Sequence, residues 1–353
     1  MPTWKQLKND DSHWQTLRLK QKIISSIRLF FEKKGFLEMY TPLLLPAVIP
    51  ESYLENFSTV QYDRRRNPKK MFLAASPEAS LKKLLAAGAP DCFELTKSFR
   101  NTETGNNTHN CEFTILEWYR LKADYLNIIN DCEELVYYIN SQARGTNSDK
   151  KNVLTYQNRM IDLSAPWPRI SVPAALEKYA GISFDEITDK SSIKNQFPAG
   201  KISAIAEKKG YKTAPDNSWE ELFNQIYLNE IEPRLSEGNR PLVIYDFPAP
   251  MAALAKLKKN DSRLAQRFEF YIGNLELGDC YTELTDYREQ EKRFRQSEEE
   301  MKKSKKNHVT ADRDFLDALK VGLPDCAGIA VGVERLIMLF ADKTNIQDTL
   351  FIV

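Results

Sequence analysis

The sequence is short of the features that usually announce a chemistry. It has three histidines, and none lies beside a cysteine pair. That argues against zinc, which is held by clustered thiolates and imidazoles. Five cysteines (Cys92, Cys111, Cys132, Cys280 and Cys326) are scattered, with no CxxC pair. An odd number without framework spacing predicts reduced, mostly buried thiols in a cytoplasmic protein. No run of eighteen apolar residues occurs, so no membrane span is expected. The start, MPTWKQLKNDD, lacks the apolar stretch of a signal peptide. Neither charge is in surplus, with 50 Lys plus Arg against 49 Asp plus Glu. A protein that grips nucleic acid along its phosphates carries a basic excess, so a dedicated nucleic-acid binder is disfavoured. Neither GxxxxGK[ST] nor GxGxxG is present, which removes both common phosphate loops.

What is present reads as one large or two ordinary domains in 353 residues. Residues 1–16 read as a loose start. Residues 17–34 place Leu17, Ile23, Ile24, Ile27, Phe30 and Phe31 at helical spacing, and Gly35 stops the helix. FLEMYTPLLLP is strand-like and broken at Pro42. Residues 55–75 predict a hairpin with the basic tip DRRRNPKK. Residues 76–88 predict a helix with Ser76 as N-cap and Pro77 in the first turn. CFELTKSFR (92–100) and CEFTILEWYR (111–120) alternate as a long antiparallel hairpin. Residues 124–144 are helical, and 145–240 read as an inserted helical subdomain. Strands return at 241–248, 267–286 and 327–334. The charged segment 287–308 reads as a solvated helix or as a contact surface. The pattern is α+β, with antiparallel strands joined by helical excursions. It does not alternate as a doubly wound fold would.

Three stretches carry chemistry. In FRNTETGNNTHNCEFTILEWYR (99–120), Arg100 stands at the mouth of a polar loop holding Glu103 and His109. An arginine fork suits phosphate oxygens, and the face of Phe113 could stack a purine. An ordinary hairpin with an exposed arginine would read the same. In ELGDCYTELTD, Glu276 and Glu283 are seven apart, which in a regular strand puts them on opposite faces. They converge only if the strand bulges, and Gly278 offers a place for it. Paired carboxylates beside a nucleotide would suit Mg²⁺. In AGIAVGVERLIMLF, a glycine-spaced strand runs into a helix opening with Glu334 and Arg335. The glycines permit close approach, and the arginine adds to a positive helix end.

These stretches, in this order, resemble the signatures of class II aminoacyl-tRNA synthetases. The match is closest to the lysine-specific subgroup, through SPE at 76–78, EFTILEWYR, and the spacing from Glu276 to Glu283. Within it the chain is similar to the free-standing paralogues that ligate lysine to elongation factor P. Ala330 in GIAVGVER, Ser76 before PE, and the short run ahead of the first helix carry that likeness. The resemblance implies an antiparallel catalytic sheet flanked by helices over 17–353, with the 145–240 insertion and no anticodon-binding domain. It implies ATP and Mg²⁺ as cofactors and a homodimer through the first helix. It implies ATP contacts from Arg100, Asn101, Glu103, His109, Asn110, Phe113, Glu276, Leu277, Gly332 and Arg335. Arg100 and Arg335 would be catalytic, and Glu276 and Glu283 would hold the metal. A lysine-like substrate, (R)-β-lysine in that family, would meet Ser76, Pro77, Glu78, Glu117, Tyr119, Glu283 and Ala330. Elongation factor P would be the acceptor.

The chain departs from the family pattern at three places. The loop after Asn101 is one residue longer, Asp279 replaces an asparagine, and Cys111 replaces a proline. Two alternatives stay open. One is a shortened enzyme that charges tRNA, against which the charge balance argues. The other is a nucleotide-binding regulator, against which the intact Arg100, Arg335, Glu276 and Glu283 argue.

Overall fold

Alternation along the strands gives the central sheet two unlike faces. The computed structural model describes residues 7–8, 10–144, 152–188, 197–235, 237–303 and 309–350. Parts of the expected loose start, of the insertion and of the charged segment, together with the last three residues (1–6, 9, 145–151, 189–196, 236, 304–308 and 351–353), lie outside the described residues. The elements run α1 (Asp11–Lys33), β1 (Leu37–Glu38), β2 (Leu44–Leu45), β3 (Ser58–Tyr62), β4 (Pro68–Leu73) and α2 (Glu78–Ala86). Then come β5 (Cys92–Phe99), β6 (Glu112–Leu121), α3 (Tyr125–Arg144), β7 (Val153–Tyr156), β8 (Arg159–Asp162) and β9 (Arg169–Ser171). After a helical stretch follow β10 (Leu242–Pro248), β11 (Leu264–Ile272), β12 (Leu275–Thr282) and α4 (Tyr287–Lys303). The chain closes with α5 (Arg313–Gly322), β13 (Cys326–Gly332) and α6 (Val333–Phe340).

Eight strands form the main sheet in the order β1-β5-β6-β13-β12-β11-β10-β9. The interior pairs are antiparallel, and only the edge pairs β1/β5 and β9/β10 are parallel. Phe93, Trp118, Ile329, Cys280 and Phe268 face one another across five strands and are all buried. The adjacent row, Glu94, Glu117, Ala330, Asp279 and Glu269, faces the other way. A period of two separates an apolar face from a polar one, as antiparallel sheets allow. Helices α1, α3 and α6 cover the apolar face. Phe31 of α1 stacks on Phe93 at 4.7 Å and meets Trp118 at 5.1 Å. Full burial of one such ring contributes about 1.5–3 kcal/mol.

Three expectations are corrected. Helix α1 begins at Asp11, six residues before Leu17, because the Asp10 carboxylate caps it by accepting from His13 N at 3.0 Å. Ser76 does not cap α2: Pro77 is the N-cap, and Ser76 Oγ accepts from Glu78 N at 3.0 Å in the turn before it. The 145–240 segment is not wholly helical. Its first part forms the β7–β8 hairpin and β9, which joins the sheet edge. Its helices (Val172–Ala175, Phe184–Ile187, Ala199–Lys208, Trp219–Ile226 and Glu232–Leu235) bury Trp219 and Phe223 in a core shared with Ile244 and Tyr271 of the sheet. The five cysteines are free, and four are buried. Among the described residues, no helix is long and apolar enough to cross a membrane.

Candidate active site

The polar face of the sheet is the floor of the site. Tyr119, Gly328, Tyr281 and Arg267 form a second row beside Glu117, Ala330, Asp279 and Glu269. Phe270 pairs with Gly278, but Tyr271 pairs with Glu276, so β12 bulges at Leu277. The bulge is the one the sequence called for. It brings Glu276 onto the face of Asp279, Tyr281 and Glu283. Gly278 is needed there, since a Cβ would lie 2.7 Å from Phe270 Cε1 and 2.8 Å from the Ala330 carbonyl oxygen. Leu277 is corrected: its side chain is buried in the apolar core under the sheet, so only its backbone can face a ligand.

One end of this face is a closed acidic pocket. Buried Pro77 turns the chain into α2, which presents Glu78 beside Ser76. Ser76 Oγ donates to Glu117 Oε1 at 2.5 Å, and Tyr119 OH donates to Glu117 Oε2 at 3.3 Å. Glu117, Tyr119 and Glu283 are each at most 3% exposed. Gly328 makes room for them, because a Cβ would lie 2.3 Å from Tyr119 and 2.6 Å from Glu283 Oε1. Burial, and then the charge of Glu78, push Glu117 up to about 8. Burial pushes Glu283 up to about 7, with Lys82 holding it back.

Lys82 is the residue that sequence reasoning missed. It is 2% exposed, and its Nζ lies 2.5 Å from Glu78 Oε1 and forms an ion pair with Glu283. Burial works against its charge, but Glu283 and Glu78 outweigh burial and hold its pKa above the ordinary lysine value. The available signal was the four-residue spacing from Glu78, which on a helix brings side chains together.

The other end is open and built from arginines. Arg100 Nη1 donates to Glu103 Oε1 at 3.2 Å, and its guanidinium lies 5.2 Å from the Phe113 ring centre. Glu103 is thus the acid that answers Arg100 in the lengthened loop. Arg100 Nε is buried and has no hydrogen-bond partner among the described residues. Arg335 donates to the Glu276 carbonyl at 2.9 Å, to its carboxylate at 3.3 Å and to His109 Nε2 at 2.6 Å. Arginine has no acceptor, so His109 accepts there and its Nδ1–H donates to Asn106 Oδ1 at 2.8 Å. Burial and then Arg335 lower the pKa of His109.

The loop is tied to the chain's end. Ile346 N donates to the Asn107 carbonyl at 2.7 Å, and Gln347 donates to Asn110 Oδ1 at 3.2 Å. Asn101 instead turns to Glu55, donating from its backbone at 2.8 Å and its side chain at 3.3 Å. A Cβ on Gly332 would meet nothing closer than Arg335 Cδ at 3.8 Å, so no protein atom demands that glycine.

Between the two ends lies Asp279, at the register of Ala330. Its Oδ1 accepts from Arg267 Nε at 2.9 Å and its Oδ2 from Tyr281 OH at 2.6 Å. The negative charge that Asp279 brings in place of an asparagine is therefore offset within the protein by Arg267. Beside it, Tyr53 OH donates to Glu51. Neither residue carried a signal in the sequence.

The expected metal pair is not formed. Glu276 is engaged with Arg335, while Glu283 lies with Lys82 in the acidic pocket. No cluster of three or more His, Cys, Asp or Glu suited to a metal occurs among the described residues. Glu276 alone fits a Mg²⁺ ion that arrives on substrate phosphates, which is how that ion usually binds. Glu283 does not fit that role.

Comparison with known proteins follows the same lines. An elongation factor P--(R)-beta-lysine ligase of Actinobacillus succinogenes is 34% identical over 337 residues, covering 95% of this chain and 94% of that protein. Its counterpart in Haemophilus influenzae is 32% identical over 346 residues, covering 96% and 97%. A lysine--tRNA ligase of Pelotomaculum thermopropionicum is 32% identical over 341 residues, and this chain spans only 62% of its length. The family profile of class II tRNA synthetases (D, K and N) matches residues 4–352. The chain belongs to the class II tRNA synthetases of the D, K and N group.

Proposed function

We propose that this chain activates a diamino acid, (R)-β-lysine or lysine, with ATP and transfers it to a lysine side chain of elongation factor P. The observation that carries the substrate side is the buried pocket of Glu78, Glu117 and Glu283 with Tyr119. Such acids, left unpaired by an apolar analogue, reject it strongly. The arginine end takes ATP: Arg100 at the α-phosphate, Arg335 at the γ-phosphate, and His109 and Asn110 beside the outer phosphates. Phe113 and Glu103 take the adenine, Gly332 leaves room for the nucleotide, and Asn101, Glu276 and the Leu277 backbone complete that end. Ser76 and Pro77 shape the turn that aims Glu78 at the amine near the carboxyl group. Tyr119 and Glu283 take the distal amine, and Ala330 sets how the near amine is placed.

The substrate carboxylate is ionised at pH 7 and needs no base to attack phosphorus. Positioning and charge neutralisation suffice for that step. Mg²⁺ would add charge neutralisation on the phosphates, with Glu276 the carboxylate in reach. In this reading the chain from α1 onward is one catalytic domain of a cytoplasmic homodimer. The near-complete coverage of the elongation factor P ligases supports the protein acceptor.

The test is the intact mass of elongation factor P after incubation with the enzyme, ATP, Mg²⁺ and (R)-β-lysine. One added lysyl unit that requires ATP is the expected result. Pyrophosphate exchange without that gain would move the acceptor to tRNA. No exchange at all would leave a nucleotide-binding regulator.

A further inference from the structure

A cation already stands inside the pocket proposed for the substrate's ammonium groups. Lys82 lies on the first turns of α2 with its side chain fully enclosed, and it bridges Glu78 and Glu283 from different parts of the chain. A buried lysine without function would be costly, since each ion leaves water at a penalty its partner must offset. The pocket holds three carboxylates, Glu78, Glu117 and Glu283, and one ammonium. The arrival of ammonium groups favours the charged form of each acid, and three negative charges less one positive then leave two in the occupied pocket. A diamino acid brings two ammonium groups. Without Lys82 the count would be three against two, and the pocket would suit a third cation or hold an unpaired acid.

We propose that Lys82 is a specificity-determining residue whose fixed ammonium cancels one pocket carboxylate, so that the site is neutral when it holds a substrate with two ammonium groups. It acts also by position. By clamping Glu283 to Glu78, it fixes the separation of the acids that face the two amines. This rests on the reading of the pocket as a diamino-acid site.

The experiment is ATP–pyrophosphate exchange with (R)-β-lysine on Lys82→Met and on Lys82→Met/Glu117→Gln, Glu117 being the pocket acid that meets Ser76 and Tyr119 and is assigned neither amine. Met keeps the volume and removes the charge. The single variant is expected to raise KM for the amino acid about tenfold or more while KM for ATP stays within about twofold. The double variant removes one acid as well and restores two net charges, so it is expected to recover much of that loss. A purely structural lysine would make the double variant no better than the single one, and that result overturns the proposal. So does an unchanged amino-acid KM in the single variant. If Lys82→Met fails to fold, the double variant carries the test alone. A KM within about threefold of wild type then supports the count, and a greater loss refutes it. Failure of the wild-type enzyme to exchange with any diamino acid would instead defeat the functional reading beneath it.

Discussion

The two ends of the site hold their charges in opposite ways. At the arginine end, Arg100, Glu103, Arg335 and Glu276 are partly exposed and paired with one another. Pairs that still reach solvent can give way to a ligand more readily than fully enclosed ones. At the acidic end, Glu117, Glu283 and Lys82 are almost wholly enclosed and cannot relax outward. The arginine end is therefore built to exchange partners, and the acidic end to keep a fixed charge pattern. Loss of a residue should hurt activity alone at the first and activity together with stability at the second.

The largest expected effect breaks the acidic end. Glu283→Ala leaves Lys82 with one partner, and removing one member of a buried ion pair costs about 3–5 kcal/mol. Thermal unfolding of the free protein should show it plainly, and a melting temperature equal to wild type would contradict the burial argument. Arg100→Ala is the matched change at the other end. Removing one preorganised electrostatic contact should lower kcat for pyrophosphate exchange about 10²–10³-fold. The melting temperature should hardly move. An equally large stability loss would erase the difference between the two ends.

Legibility in the sequence divides along the same line. The 92–121 hairpin, Arg100 and Arg335 could be read because alternation and a polar loop are local signals. The bulge was legible because Gly278 sits between two acids of odd spacing. Lys82 was hidden because a lysine four residues after a glutamate ordinarily reads as a surface pair. Only the fold brings Glu283 to it. The pairing of Asp279 with Arg267 depends on the β11–β12 register, which places Glu269 opposite Asp279. The β7–β8 hairpin was missed because its turn uses Gln157 and Asn158 at φ 48° and 59°, where a glycine would have marked it. Asp10 is an ordinary N-cap, but polar residues separate it from the first apolar stripe of α1.

Stability against pH sharpens the comparison more gently. Glu117 rises from 4.5 in the unfolded chain to about 8 in the fold. A raised folded pKa contributes stability that is fully present below the unfolded value and is lost as pH rises through the folded one. The free protein should therefore lose stability between about pH 4.5 and pH 8. Glu117→Gln should flatten that slope, as read by denaturant midpoints across the window. An unchanged slope would show that Glu117 is ionised in the folded protein at neutral pH.

The smallest expected effect lies at Ala330, where the two ends meet. Its register partners are Glu117 on one side and Asp279 on the other. Ala330 therefore stands between the pocket proposed for the amines and the anion held by Arg267. A single methyl in a tight site is worth about 1–3 kcal/mol of discrimination. Removing it should open the position of an amine one carbon nearer the carboxyl group. Ala330→Gly is expected to shift the ratio of kcat/KM for α-lysine over (R)-β-lysine upward by about tenfold. Glycine at this strand position should cost about 0.5–1 kcal/mol of stability, too little to unfold the sheet. Because neither the arginines nor the buried acids change, KM for ATP should stay constant. A shift in ATP affinity with no change in amino-acid preference would mean that Ala330 belongs to the arginine end. The boundary between the two ends would then run through Glu117.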